Sequence, residues 1–157
     1  MKRAVGNEPS QPVLVLKTGM LRCALPLSFV IEILRPLPQH PLANAPAFVC
    51  GASVVRGEPV PVVNLAGLLG AASEAATRFV LVRAGQRKVA IAVDAVIGIQ
   101  DLALEAMASV PPLLTNARPD AVSALGTLDR ELLLVLQTAH LVPDELWPLP
   151  LASASSP

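Results

Sequence analysis

Short apolar runs alternate with turn residues along the whole chain. Val13–Lys17 and Met20–Leu25 flank Thr18-Gly19, which predicts a β-hairpin, and Pro26 ends its second strand. Phe29–Leu34 is apolar except for Glu32 and reads as a short helical turn running into a strand. A proline-rich loop spans Pro36 to Pro46. Pro46 then opens a turn of helix that Gly51 closes, with proline at the start and glycine past the end. Ser53–Val55 and Val60–Val63 flank Arg56-Gly57-Glu58-Pro59 as a second hairpin. Pro59 and Pro61 cannot donate to a ladder, so their strand is expected at an edge or broken by a bulge. Asn64 is placed to cap a short helix, Leu65–Leu69, with Gly70 behind it.

Past a small-residue linker, Ala71–Ala76, the plan repeats. Arg78–Ala84 and Arg87–Val93 flank Gly85-Gln86, and Val96–Ile99 follows as a β-rich segment. A loop with Pro111-Pro112 and Pro119 leads to Val122–Leu128 and Leu132–Leu136 around Asp129-Arg130-Glu131, then a helical turn over Thr138–Val142. Laid over one another at an offset of 66 residues, the stretches from Val13 and Phe79 share five identities in 24 positions. These are Gly19/Gly85, Ala24/Ala90, Val30/Val96, Ile31/Ile97 and Ile33/Ile99. The later hairpins align at an offset of 73, with Glu58/Glu131, Val62/Val135, Ala66/Ala139 and Leu68/Leu141. Each half therefore carries about five short strands. Strands this short hide their edges by closing into small barrels. The expectation is an all-β protein of two such barrels with a few short helices, one from 13–70 and one from 78–142. Neither half buries much core alone, so the two fold as a unit over 12–147. Residues 1–11 and 148–157 are expected to be loose ends.

A length of 157 residues suits one domain. Twelve Lys and Arg balance twelve Asp and Glu, which argues against a duplex nucleic-acid binder and against a polybasic membrane patch. Aromatics are 3% of the chain, too few for stacking platforms. Charged residues are only 15% against 53% apolar, a surface that points to protein partners. No apolar run reaches a spanning length and the N-terminus lacks a signal-peptide core, so a cytoplasmic protein is expected, without direct membrane insertion.

Chemical motifs are few. There is no GxSxG elbow, GxxxxGK[ST] loop or GxGxxG. His40, His140, Cys23 and Cys50 have no metal-ligand spacing, and both thiols read as small buried groups, so no metal, cofactor or catalytic residue is assigned. Three polar positions stand out. Glu32, in Val30-Ile31-Glu32-Ile33, either faces solvent beside Arg35 or orients a docking partner over an apolar rim. Arg56 either pairs with Glu58 on the surface or is held out by Gly57 for a partner. Asp94 ends an apolar strand and suits a turn or cap.

The order of these segments resembles the CheW-like family of bacterial chemotaxis adaptors. The residues that carry the likeness are CALPL, Val30-Ile31-Glu32-Ile33, Ala45 to Gly51, VVRGEPVPVVNL, VAIAVDAVIGIQDL and ALGTLDRELLLVLQ, across roughly Val13 to Val142. The resemblance implies two five-stranded SH3-like barrels and no enzymatic activity. It implies coupling of the cytoplasmic hairpin tip of chemoreceptors to the CheW-like regulatory domain of a CheA-type histidine kinase. It places Val30 and Glu32 near the receptor groove and Arg56-Gly57 at the coupling hairpin; Ile33, as a second apolar anchor, and Glu58 complete the candidate partner-binding set. Gly51, Pro61, Val62, Asn64 and Leu65 fall at structural positions. The chain departs from the usual pattern at Val54, Asn64, Ala66 and Gln137. Two other readings stand beside this one. The first is an adaptor for pilus motility or a second-messenger circuit. The second is a small enzyme on a double-barrel scaffold, which requires a pocket with convergent polar groups.

Overall fold

The computed structural model describes residues 10–71, 76–103, 122–128, 131–136, 138, 141–143, 146, 147 and 149. Two-residue turns set up the first pairings. β1 (Ser10–Thr18) turns through Gly19-Met20 into β2 (Leu21–Pro26), and a 3-10 turn, Leu27–Phe29, leads to β3 (Val30–Leu34). β4 (Val49–Val55) and β5 (Glu58–Asn64) form the hairpin around Arg56-Gly57, followed by helix α1 (Leu65–Leu68). β6 (Arg78–Ala84) and β7 (Arg87–Val93) form the third hairpin, and β8 (Ala95–Ala103), β9 (Val122–Leu128) and β10 (Glu131–Leu136) complete the chain.

The strands make two five-stranded sheets, ordered β8-β1-β2-β10-β9 and β3-β6-β7-β5-β4. The fold is thus all-β, as expected, but the sheets do not divide at 13–70 and 78–142. β3, β4 and β5 join β6 and β7, while β8, β9 and β10 join β1 and β2. Each sheet is one half's opening hairpin completed by the other half's remaining strands. The repeat survives this exchange in register. Leu16 faces Val96 and Val15 faces Gly98 in one sheet. Their counterparts, Val82 facing Val30 and Leu81 facing Glu32, lie in the other. Both ladders skip one residue on the edge strand, Ile97 in β8 and Ile31 in β3. A sequence repeat shows which strands are equivalent. It does not show which copy of an equivalent strand completes a sheet, and this is why the halves were misassigned.

Three apolar clusters account for the low charge content. One sheet wraps Val55, Val60, Val62, Phe79, Leu81, Ala90 and Ala92, with Ile31 and Leu34 of its edge strand packed on them. The other wraps Val13, Val15, Ala24, Leu102, Leu133 and Val135. Between them lies the largest cluster, including Leu14, Leu16, Cys23, Leu25, Val63, Leu65, Leu68, Val80, Val82, Ile91, Leu134 and Leu136. Alternate residues of β1, β2, β6, β7 and β10 thus face a sheet interior on one side and the shared core on the other. Burial on both faces explains near-continuous apolar runs where a surface strand would alternate.

Several local expectations change. β1 begins at Ser10, with Ser10 facing Ala103 and Gln11 facing Leu102, so the first strand starts before residue 12. Residues 1–9, the 72–75 part of the linker, the loop with Pro111-Pro112 and Pro119, and Asp129-Arg130 lie outside the described residues. At the other end, Trp147 and Leu149 are packed against the shared core. β5 is an interior strand, not an edge. Its pairing with β7 runs only from Val62 to Asn64, beyond Pro61, so neither proline has a ladder position to fill on that side. The bulge lies opposite, between Val49 and Gly51 of β4.

Gly51 is also not a helix terminus. A single turn closes at Pro46, where Val49 N–H donates to the Pro46 carbonyl at 3.0 Å, and Gly51 lies inside β4. Its missing side chain lets the proline-rich loop lie on the strand. His40 N–H donates to the Ala52 carbonyl at 2.7 Å, and Ala52 N–H donates to the His40 carbonyl at 2.8 Å. Ser53 Oγ, fully buried, donates to the Pro38 carbonyl at 2.8 Å. A Cβ on residue 51 would sit 2.5 Å from the His40 carbonyl oxygen, a backbone atom that cannot rotate away, and φ there is +155°. Gly51→Ala is therefore expected to cost about 1–3 kcal/mol of unfolding free energy, the range for overpacking. It should also raise amide exchange at His40 and Ala52 specifically, which hydrogen exchange followed by NMR will show.

Candidate functional site

The β4–β5 turn is built from Arg56 and Gly57, both left-handed at φ 51° and 84°. This two-residue geometry suits the right-handed twist of the strands and ordinarily selects Asn-Gly. Arginine is a poor residue for its first position, so the turn carries this side chain against local preference. The guanidinium reaches across to β3 and grips Glu32 with both arms. Nε donates to Oε1 and Nη2 to Oε2, each at 2.8 Å. Arg56 keeps 73% of its side chain exposed and Glu32 26%, so the clamp is presented at the surface. Glu58 turns instead to Lys88 of β7, whose Nζ lies 3.4 Å from its carboxylate. The pairing of Arg56 with Glu58 is therefore corrected. Arg56 lies in the turn and Glu58 opens β5, so those side chains diverge, whereas the fold brings β3 alongside.

The hydrogen bonds from Arg56 hold the Glu32 carboxyl below the usual glutamate range, outweighing the opposing effect of desolvation, and the charges of Arg56 and Lys88 add to the lowering. The same contact raises the Arg56 guanidinium. A carboxyl whose pKa falls on folding contributes stability above its unfolded value, and that contribution disappears as pH drops through the folded value. The Glu32 carboxyl, followed by carbon-detected NMR, is thus expected to titrate below free glutamate. Arg56→Gln should move the midpoint upward with the fold unchanged.

Apolar side chains are also exposed on the same strands. Ile33 of β3 is 44% exposed and Val54 of β4 is 55% exposed, while Val30 is half-buried against the shared core. Edge strand β8, the repeat counterpart of β3, exposes Ile97 and Ile99. Sequence reasoning passed over these two isoleucines although the alignment had already paired them with Ile31 and Ile33. It also passed over Lys88.

The residues read as structural are placed as follows. Val62 and Leu65 are fully buried, and Pro61 is buried beside them. Asn64 Oδ1 accepts from Gly67 N–H at 3.2 Å and so caps α1, which ends at Leu68. Asp94 sits where β7 leaves one sheet and β8 enters the other. Its carboxylate accepts from Gly19 N–H at 2.7 Å and its own N–H donates to the Lys17 carbonyl at 3.0 Å, tying the β1–β2 turn to this corner. Cys23 is buried, and burial pushes its thiol up to about 12. Cys50 is exposed, contrary to the expectation of two buried thiols, because it points away from both interiors in β4. Among the described residues no three of His, Cys, Asp and Glu converge as metal ligands, and His140 and Gln137 lie outside them.

The model of the CheW-like domain matches residues 12–146. The chain belongs to the CheW-like family. It is 24% identical over 148 residues to the chemotaxis protein CheW of Klebsiella aerogenes, covering 92% of this chain and 89% of that one. It is 36% identical over 62 residues to the protein FrzA of Myxococcus xanthus, covering 40% of this chain and 39% of that one. Its fold is similar to the crystal structure of the scaffolding protein TtCheW from Thermoanaerobacter tengcongensis, with a TM-score of 0.76 at 18% identity over 87% of this chain and 90% of that one. That likeness establishes the all-β CheW-like architecture.

Proposed function

We propose that this protein is a non-enzymatic cytoplasmic adaptor that couples chemoreceptors to a CheA-type histidine kinase. The carrying observation is the exposed Arg56–Glu32 clamp, held out by a turn that arginine does not favour, at the positions the family resemblance puts beside the receptor groove and at the coupling hairpin. Apolar anchors and a few oriented charges are what docking of a helical hairpin tip requires. Val30 and Ile33 supply area, and the clamp supplies orientation. The kinase's regulatory domain, itself CheW-like, would take other strand edges. Transmission then rests on geometry alone: the protein fixes receptor and kinase relative to one another. No helix among the described residues is long and apolar enough to cross a membrane, so attachment to receptor arrays would run through the receptors.

A second reading is favoured by the match to FrzA and by the departures at Val54, Asn64 and Ala66: the same kind of adaptor serving a non-flagellar pathway. Reconstitution tests both. Kinase autophosphorylation is measured with receptor-tip fragments, with this protein, and with both. The proposal expects stimulation only when all three are present. Binding to one partner without stimulation of any kinase would overturn it.

A further inference from the structure

The proline-rich loop after β3 carries a motif that the adaptor reading does not use. It opens with Arg35-Pro36-Leu37-Pro38-Gln39-His40-Pro41. Each of the three prolines fixes its own φ at about −65°. Arg35, Leu37 and His40 each precede a proline, which pushes them to extended or polyproline II backbone. Only Gln39 escapes both constraints. The segment is accordingly neither helix nor turn, and none of its residues has a positive φ. Polyproline II has three residues per turn, so residues three apart share an edge.

The body of the protein holds one of the three edges. Leu37 packs on the apolar cluster around Phe79 and Leu81, and the backbone of His40 exchanges two hydrogen bonds with Ala52. The Ser53 hydroxyl fixes the Pro38 carbonyl as well. The other two edges are exposed: Arg35, Pro38 and Pro41 on one, Pro36 and Gln39 on the next. Among the described residues Arg35 forms no ion pair.

We propose that this segment is a docking motif for a partner protein with a groove of aromatic rings and a carboxylate at one end. The rings pack on the exposed proline edges. The carboxylate takes the Arg35 guanidinium and so sets the direction of the segment in the groove. Because the segment is already held extended on the body, it loses little freedom on binding, unlike a free proline-rich linker. A second copy of this chain does not supply the groove. Its aromatic residues are three Phe and one Trp, too few to line one, and Phe79 among them is buried. The motif contains neither residue of the Glu32–Arg56 clamp and stands or falls without it.

Isolated SH3, WW and EVH1 domains have grooves of this kind. Each is titrated into the isotopically labelled full-length protein. Prolines carry no amide, so saturable shifts are expected at Arg35, Leu37, Gln39 and His40 with at least one of the domains. Arg35→Glu and, separately, Pro38→Ala should weaken that binding about tenfold, through loss of a charged hydrogen bond and of an apolar contact. Both side chains are exposed and the Pro38 carbonyl survives its substitution, so both variants should melt with the parent protein. The same domain with its groove aromatics replaced by alanine should shift nothing in the segment. Absence of shifts with all three domains overturns the proposal. Shifts confined to other residues overturn it too, as do segment shifts that persist with Pro38→Ala or with the altered groove.

Discussion

Arg56→Glu is expected to abolish ternary coupling while leaving thermal stability nearly unchanged. The substitution sets a second carboxylate against Glu32, with Glu58 two residues away, and turns an oriented clamp into mutual repulsion. Affinity for a receptor-tip fragment should fall at least about tenfold, the consequence of reversing a charge at an interface where like charges meet. Stability is spared because the pair is exposed and screened. Glu32→Lys should share the phenotype, since each residue holds the other in place. The exchange Glu32→Arg with Arg56→Glu should recover part of the binding. Arg56→Asn provides the control for the backbone, because asparagine accepts the left-handed turn without a clamp. Calorimetry and fragment titration of the four variants decide the matter. If Arg56→Asn melts as early as a core substitution, the clamp is structural and the assignment fails.

Phe79→Ala carries the largest expected loss of stability, about 3–5 kcal/mol, the usual cost of removing a buried ring. Phe79 is 1% exposed, lies inside the β3–β7 sheet and pairs with Leu34 on one side and Ala92 on the other. The informative outcome is where the loss appears. Each sheet contains strands from both halves of the chain, and the largest cluster belongs to both sheets. Residue-resolved amide signals from β1, β2 and β10 should therefore vanish at the same denaturant concentration as those from β5 and β7. A β1–β2–β10 sheet that outlasts its neighbour would show two independent units.

The hairpins were legible because turn chemistry is local: Gly19, Gly57 and Gly85 each fall at a two-residue connection between apolar runs. The repeat was legible as well, since equivalent strands keep equivalent residues, down to the skipped Ile31 and Ile97. What sequence could not reveal is partner choice across distance. β3 could complete either hairpin on pattern alone, and the 3-10 turn after Pro26 sends it to the other sheet. The same limit hid the clamp. Glu32 and Arg56 both stand out in the sequence, and Arg56 reads either as paired with Glu58 or as held out for a partner, but the fold brings it instead to Glu32, 24 positions away along the chain. Gly51 was misread for a related reason. Glycine after a proline suggests a helix terminus, whereas here it makes room for the His40 carbonyl. Cys50 and Val54 show that apolar letters in a strand do not reveal which face they take when the other face is covered by a loop.

The most direct test is a pair of titrations of the isotopically labelled protein, one with the CheW-like regulatory domain of a CheA-type kinase and one with a receptor hairpin-tip fragment. The adaptor account predicts saturable amide shifts in both. The receptor fragment should move Val30 to Ile33 and the Arg56-Gly57 turn, and the kinase domain should move a different set of strand edges. Both partners should bind at once. Dispersed, unshifted spectra with both partners at high concentration would contradict the account, since the fold would be intact and the coupling absent.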